Sequence, residues 1–336
     1  MLVTTQHAFR LLGVFYTILL EVSKMEKLSI IGCGTMGHSI ALSAAWAGME
    51  VNETGTDEGE LERADRELGN KIQVMRENGL IDKKEAGEIR SRIELMTSLH
   101  EATESSTFII EAIPEVIGMK QTLYAELEQV IGDDVVIASN TSGFTPTLLA
   151  EKALHPERFI VTHFWNPAHL IPLVEVVKGQ KTSLETIERS MTLLKRMKKQ
   201  PILLQKEIPG FIGNRLQYAL FREAQSLLDE GVATKEDIDA SVTYSIGRRL
   251  PITGPLMTAD MGGLDVFSSI SNYLFEDLST KHKSGRVLES LVQEGKLGDK
   301  SGEGFYAWDE ETSRRLNKER EQTLIHFMKL DRERRK

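Results

Sequence analysis

The chemistry open to this sequence is concentrated in one glycine cluster and in a histidine and a glutamate further along. The cluster is Gly32-Cys33-Gly34-Thr35-Met36-Gly37, preceded by the apolar run Leu28-Ser29-Ile30-Ile31 and followed by the small-residue stretch His38 to Ala45. A buried strand that turns sharply into a helix with this spacing suits a dinucleotide. The first glycine turns the chain, the second lets backbone approach a pyrophosphate, and the third lets helix and strand pack closely. The phosphates then meet N–H groups at the positive end of the helix. Gly32, Gly34, Thr35, Met36 and Gly37 are the candidate contacts. Such glycines can also form an ordinary loop; the flanking strand and helix separate the two readings.

His163 closes the β-rich run Phe159-Ile160-Val161-Thr162-His163. Oxidation of an alcohol needs a base for the hydroxyl proton while hydride leaves the same carbon. A histidine serves near neutral pH, and a carboxylate that fixes its tautomer also stabilises its charged form. Glu175 lies in Leu173-Val174-Glu175-Val176-Val177, where an unpaired carboxylate is costly to bury. Taken singly, each has a plainer reading, as one histidine among eight and as an acid on an edge strand.

The elements around these groups alternate. After the first helix, Gly48–Gly55 reads as a second strand, a weak one with Val51 as its one strongly β-forming apolar residue. From Leu61 to Leu99 the sequence is highly charged, with Leu68, Ile72 and Met75 at helical spacing and a break at Glu77-Asn78-Gly79. That predicts a helical hairpin, either solvated or serving as a flap over a long substrate. Strands are expected at Thr107–Glu115 (ending in a polar loop), Val135–Ala138, Phe159–His163, Leu173–Val177 and Pro201–Leu204, with helices at Gly118–Ile131 and Leu184–Lys198. Several of the strands run into polar residues, where open α/β sheets place their active sites. Beyond Pro209-Gly210, the stretches Phe211–Asp229, Lys235–Tyr244 and Gly263–Leu278 have helical period and no convincing strand follows.

The pattern predicts a Rossmann-type α/β dinucleotide-binding domain over 25–207 with a helical hairpin insertion, followed by an all-α domain over 208–310. A charged tail, 311–336, carries sparse apolar points at Leu316, Leu324, Ile325 and Met328 and reads as a helix on the surface or against a partner. Residues 1–24 read as an extension: the apolar run Leu11–Leu20 is too short to span a membrane, no small-residue cleavage site follows it, and Met25 is the expected start.

Dinucleotide domains usually end the second strand with an acid that holds the adenosine ribose. Counting from the glycine cluster puts Gly55 there. Without a carboxylate a 2′-phosphate could be admitted, but Asp57, Glu58, Glu60 and Glu62 precede the first basic residue, Arg63, and favour NAD. Glu53, on the same strand face as position 55, and Asp57 are candidates to replace the missing acid. With 336 residues, 40% hydrophobic, 27% charged and a net charge of −9, the composition is that of a globular protein with no leaning toward nucleic acid or an anionic membrane. The single cysteine, Cys33, fits a reducing cytoplasm and reads as packing within the loop.

From Leu28 to Trp308 the chain resembles the L-3-hydroxyacyl-CoA dehydrogenase family, including its short-chain 3-hydroxybutyryl-CoA enzymes. The motifs are the glycine cluster, Glu111-Ala112-Ile113-Pro114-Glu115, Ser139-Asn140-Thr141-Ser142, His163-Phe164-Trp165-Asn166-Pro167, Pro172 to Val177, Pro209 to Arg215 and Lys300-Ser301-Gly302-Glu303-Gly304-Phe305-Tyr306. The resemblance implies oxidation of an L-3-hydroxyacyl-CoA to the 3-ketoacyl-CoA, with His163 as base and Glu175 as its orienting partner. It implies that Ser142 and Asn214 hydrogen-bond the reacting oxygen, and that Glu115, Lys120, Ser142, Asn166 and Lys300 contact NAD. It further implies a homodimer through the helical second domain. Read without it, Lys120 and Lys300 are surface lysines, Glu115 a helix-start acid, and Ser142 and Asn166 turn residues. Two departures stand out. Gly55 replaces the ribose-binding aspartate, and Glu77-Asn78-Gly79 stands where short-chain members carry lysines for CoA, with Lys71, Lys83 and Lys84 nearby. Relatives acting on free hydroxy acids, of the L-gulonate and L-carnitine type, share the His–Glu pair and are the alternative. A non-catalytic NAD-binding protein is the third reading.

Overall fold

The computed structural model describes residues 26–334; the expectation that 1–24 form an extension and that Met25 is the start lies outside them. The chain divides into two units, one formed by residues 26–211 with 323–334 and the other by residues 212–322.

In the first unit, short apolar runs form β1 (Leu28–Ile31), β2 (Val51–Thr54), β3 (Ile93–Met96), β4 (Phe108–Glu111), β5 (Val136–Ser139), β6 (Phe159–Phe164), β7 (Leu173–Lys178) and β8 (Gln200–Leu204). They build one eight-stranded sheet in the order β3-β2-β1-β4-β5-β6-β7-β8. The first six strands are mutually parallel; β7 turns back antiparallel to β6, and β8 lies parallel to β7. The order reverses direction between β1 and β4, the place where such sheets open a ligand crevice.

Side chains alternate between the faces. Ile30, Ile110, Ala138, Ile160 and Val176 pack beneath α1 (Thr35–Trp46) together with α7 (Leu184–Arg196). Ile31, Ile109, Ile137, Val161 and Val177 pack on the other face against α5 (Ile117–Leu127), through Tyr124 and Leu127. Two short helices, α4 (Leu99–Thr103) and α6 (Pro146–Leu149), complete the crossovers.

The expected hairpin is present as α2 (Glu58–Glu77) and α3 (Lys83–Ser91). Asp57 caps α2 by accepting from Glu60 N, and Asp82 with Glu85 forms a capping box on α3. The charged stretch does not stay helical to Leu99, however. Ile93–Met96 pairs with β2 as the edge strand β3, with Ile93 buried and Glu94 exposed. Four residues of mixed polarity carry too little period for a strand to be told from a helix end.

The tail also differs from expectation. It forms α13 (Glu310–Arg334), but its last turns are not a surface helix: Ile325 is buried in the core of the first unit, with Leu324 and Met328 packed beside it. Arg332 lies over the Trp46 ring, 4.5 Å from its centre. Lys329 Nζ donates to Asn78 O at 2.6 Å and Arg332 to Leu80 O at 3.3 Å, so the turn of the hairpin is covered by the tail.

The second unit is helical, with α8 (Gly213–Asp229), α9 (Lys235–Ser241, continued by a π turn Val242–Ile246), α10 (Pro255–Gly262), α11 (Leu264–Leu274) and α12 (Arg286–Gln293). Its only β features among the described residues are the isolated bridges of Glu303 with Gly298 and Ala307. No helix of the described residues is long and apolar enough to cross a membrane.

If Ile325 anchors the tail in this core, Ile325→Ala should lower stability by about 2–4 kcal/mol, the usual range for truncating a buried aliphatic side chain. A lower urea midpoint with unchanged slope is the expected result; an unchanged midpoint would mean that the tail is not docked.

Candidate active site

Gly32 begins the turn after β1 at φ +101°, a conformation costly for any residue with a Cβ, and its N–H donates to Thr54 O at 3.0 Å. A Cβ on Gly37 would strike the carbonyl oxygen of Gly32, so only glycine lets α1 approach β1 this closely. Gly34 differs: a Cβ there would meet nothing within 4 Å. Gly34 is the N-cap of α1 with no side-chain cap, and Gly34 and Thr35 are exposed. The first-turn N–H groups thus face an open cradle at the helix's positive end, which suits the pyrophosphate of a dinucleotide.

Gly55 is buried, and a Cβ there would come 2.6 Å from Cys33 Sγ and 2.9 Å from Leu61 Cδ2. Tight packing against the glycine loop explains the missing acid. Neither proposed substitute lies ready at that position. Asp57 is engaged as the cap of α2. Glu53 is fully buried on the α1 face beneath Gly37, and neither carboxyl oxygen has a hydrogen-bond partner among the described residues. Burial pushes its pKa up to about 8, against a smaller opposing pull from Arg90. Cys33 is likewise buried, and desolvation, then Glu53, raises its thiol to about 11, so it stays protonated.

The histidine and glutamate meet. β6 and β7 pair antiparallel in a register that sets His163 directly opposite Glu175. His163 Nδ1 lies 2.8 Å from Glu175 Oε2, with Glu175 fully buried and His163 6% exposed. With Nδ1–H donating to the carboxylate, Nε2 is left as the basic nitrogen. The imidazole is flanked by Trp165 and Phe211, with ring centres 5.4 and 5.5 Å away. The end of β6 is tethered across the sheet by Asn140, whose Oδ1 accepts from Phe164 N at 2.9 Å.

Lys120 is not a surface lysine: it is 1% exposed, with Nζ 2.6 Å from Glu111 Oε1 and 3.4 Å from Glu115 Oε2. Glu111 is the residue the sequence reading passed over. It ends β4 fully buried and accepts from Ile113 N, Lys120 Nζ, Tyr124 Oη and Ser139 Oγ, at 2.6 to 2.8 Å. Burial, with Glu111 beside it, holds the Tyr124 phenol well above its ordinary pKa and hence as a donor. A carboxylate in an apolar strand was the available signal, the same one that singled out Glu175. Glu115 accepts from Thr141 Oγ1 and from Ser142 N, the latter at 3.1 Å, and so fixes the loop after β5. Ser142 and Asn166 are exposed on the loops after β5 and β6. In the second unit, Asn214 occupies the first turn of α8 and Lys300 the turn Asp299–Ser301.

Lys71, one of the lysines near the hairpin turn, donates to His38 Nε2 at 3.0 Å. Burial and then Lys71 lower the His38 pKa, so the ring is neutral and its Nδ1–H donates to Cys33 O at 3.3 Å.

Glu53 supplies a pH test of this geometry. Its folded pKa, about 8, lies above the usual carboxylate range, so the folded state holds a proton that the unfolded chain releases earlier. Its contribution to stability is full below that range and is lost as pH rises through about 8. Glu53→Gln should therefore raise the melting temperature most above pH 8 and flatten its fall between pH 5 and 9 (about 1.4 kcal/mol per pH unit for one proton); identical pH profiles would show that Glu53 is not held protonated.

Comparison with known proteins agrees with this architecture. Residues 27–208 match the family model described as "3-hydroxyacyl-CoA dehydrogenase, NAD binding domain", and residues 210–308 match its C-terminal domain. A 5-formyl-3-hydroxy-2-methylpyridine 4-carboxylate 5-dehydrogenase of Mesorhizobium japonicum is 33% identical over 302 residues, covering 90% of this chain and 96% of that protein. A probable 3-hydroxybutyryl-CoA dehydrogenase of Bacillus subtilis is 34% identical, covering 86% and 100%. An L-carnitine dehydrogenase of Oceanobacillus iheyensis is 33% identical, covering 71% and 76%. The crystal structure of a 5-formyl-3-hydroxy-2-methylpyridine 4-carboxylic acid 5-dehydrogenase, an NAD+-dependent dismutase, superposes with a TM-score of 0.85 at 32% identity, over 91% of this chain and 98% of that one. An NAD-binding domain built on this glycine cradle and a matching helical domain place the chain in the 3-hydroxyacyl-CoA dehydrogenase family, NAD-dependent oxidoreductases acting on CH–OH groups.

Proposed function

We propose that the chain oxidises a CH–OH group to a carbonyl with His163 as general base. The observation that carries this reading is the buried hydrogen bond from His163 Nδ1 to Glu175. His163 Nε2 takes the hydroxyl proton, and Glu175, already hydrogen-bonded to Nδ1, stabilises the imidazolium that forms. NAD, when bound, supplies the acceptor for the hydride and its electron pair. Ser142 and Asn214 are assigned to the reacting oxygen, where they would also polarise the ketone in the reverse direction. The glycine loop, Glu115, Asn166 and Lys300 are assigned to cofactor contact. Lys120 acts from within, holding Glu115 toward the Ser142 loop.

For the substrate, a small molecule with a free carboxylate is the reading we adopt. Two observations favour it. The hairpin turn Glu77-Asn78-Gly79 carries no lysine of its own, and the nearby Lys71 is bonded to His38. The relatives named for a pyridine carboxylate and for L-carnitine carry no CoA in their names. An L-3-hydroxyacyl-CoA of short chain is the second reading, supported by both domain matches and by the full-length coverage of the 3-hydroxybutyryl-CoA relative. The lone buried thiol accords with a reducing cytoplasm.

We also propose a homodimer through the second unit. Leu216, Tyr218, Met257, Met261, Phe267 and Tyr273 are all exposed in the single chain, large apolar and aromatic side chains that a second copy would cover. Light scattering should give twice the chain mass at micromolar concentration; a single-chain mass would overturn this assignment.

The catalytic reading is tested by His163→Ala, which should lower turnover by roughly two to four powers of ten, the scale for a positioned base, with NADH binding near normal. The substrate is tested by NADH consumption with acetoacetyl-CoA beside acetoacetate, 3-dehydrocarnitine and the formylpyridine carboxylate. Turnover confined to the thioester would replace the free-acid reading with the CoA one.

A further inference from the structure

Ser39 and His169 belong to distant parts of the chain and to different functional segments. Ser39 lies in α1, shortly after the glycine loop; His169 lies in the turn between β6 and β7, shortly after His163 and Asn166. Both are buried, Ser39 completely. Ser39 Oγ accepts from His169 N at 3.3 Å and lies 3.0 Å from His169 Nδ1. Burial, followed by the nearby Lys71 and Lys199, pushes the His169 pKa down to about 3, so the ring is neutral across any working pH. With the ring proton on Nε2, the hydroxyl meets both contacts at once, accepting from the backbone N–H and donating to Nδ1. The same turn is held from its other side by Lys199, a buried lysine just before β8 whose Nζ donates to Ala168 O and Ile171 O. Buried polar groups that satisfy one another in this way hold a single arrangement, because any slip leaves a donor or acceptor unpaired.

We infer that the Ser39–His169 hydrogen bonds are a latch that sets the spacing between the helix beneath the cofactor phosphates and the turn carrying Asn166, and that His169 is a positioning residue for NAD. The inference rests on the assignment of the Asn166 turn to cofactor contact made above. The strand order reverses between β1 and β4, where sheets of this kind open a ligand crevice, and the segments flanking that point are far apart in sequence. α1 supplies one wall and the loops after β5 and β6 the other. The sheet alone spaces them only through several strands, whereas the latch joins them directly.

The test is titration of the full chain with NADH, followed by cofactor fluorescence, which needs no substrate and so does not depend on the catalytic reading. Ser39→Ala and His169→Leu should each weaken NADH binding about tenfold, the scale of one lost buried hydrogen bond with its partner left unpaired. His169→Asn, which can place a polar atom near the position of Nδ1, should bind within about threefold of the unaltered protein. Leu193→Ala, a core change on α7 outside the site, serves as a control for lost stability and should lower the melting temperature while leaving NADH affinity unchanged. The latch is overturned if Ser39→Ala and His169→Leu bind NADH normally, if His169→Asn loses as much affinity as His169→Leu, or if Leu193→Ala loses affinity in proportion to its stability. Asn166→Ala judges the underlying assignment separately: normal NADH binding there removes Asn166 as a contact, while the latch is decided by its own variants.

Discussion

A carboxylate buried without exposure in the middle of a sheet must be matched by a positive or donating group, and His163 meets Glu175 in that role. That requirement governs the end of the sheet where the proposed chemistry takes place. β7 can present Glu175 to His163 because it returns antiparallel to β6, so residues directly opposite share a face and their side chains meet. A parallel strand reached through a helical crossover would require a different register. The short turn that makes the return carries Asn166 and His169, so the elements around the proposed base follow from one strand reversal.

Buried polar groups recur at the ends of the neighbouring strands. Glu111 gathers four donors from its own loop, α5 and β5, and Glu115 relays from Lys120 to the Ser142 loop. Pairs of this kind add little net stability over a well-packed apolar core, but breaking one member leaves the other stranded, so they penalise every alternative loop position. The opposite case is Glu53, buried with no hydrogen-bond partner among the described residues, where desolvation raises the pKa to about 8 and favours the neutral acid. It lies beneath the helix proposed to meet the cofactor phosphates. There the glycine contacts, and not hydrogen bonds, set the approach of backbone to backbone.

The C-terminal helix changes the meaning of the hairpin. Without it, α2 and α3 would present an open turn of the kind a flap requires. With Lys329 and Arg332 seated on the turn's carbonyls and Ile325 in the core beneath, the turn is part of the packed domain.

The glycine spacing, the β-rich runs and the helical second domain were legible because each depends on neighbours within a few residues, as do strand alternation, helix period and the turn chemistry of glycine. His163 and Glu175 were legible as candidates for the same reason, each at a marked position in its own strand. What joined them was register, a property of two strands that local pattern does not carry. Lys120, a cofactor contact by family resemblance and a surface lysine by local pattern alone, is buried in the fold against Glu111. The strand Ile93–Met96 was hidden because four mixed residues have no period of their own and become a strand by pairing with β2. Leu324, Ile325 and Met328 were seen as apolar points on a charged helix; only the folded chain supplies the core that buries them. Local geometry is written in adjacent residues, whereas burial and pairing are decided by residues brought close from far along the chain.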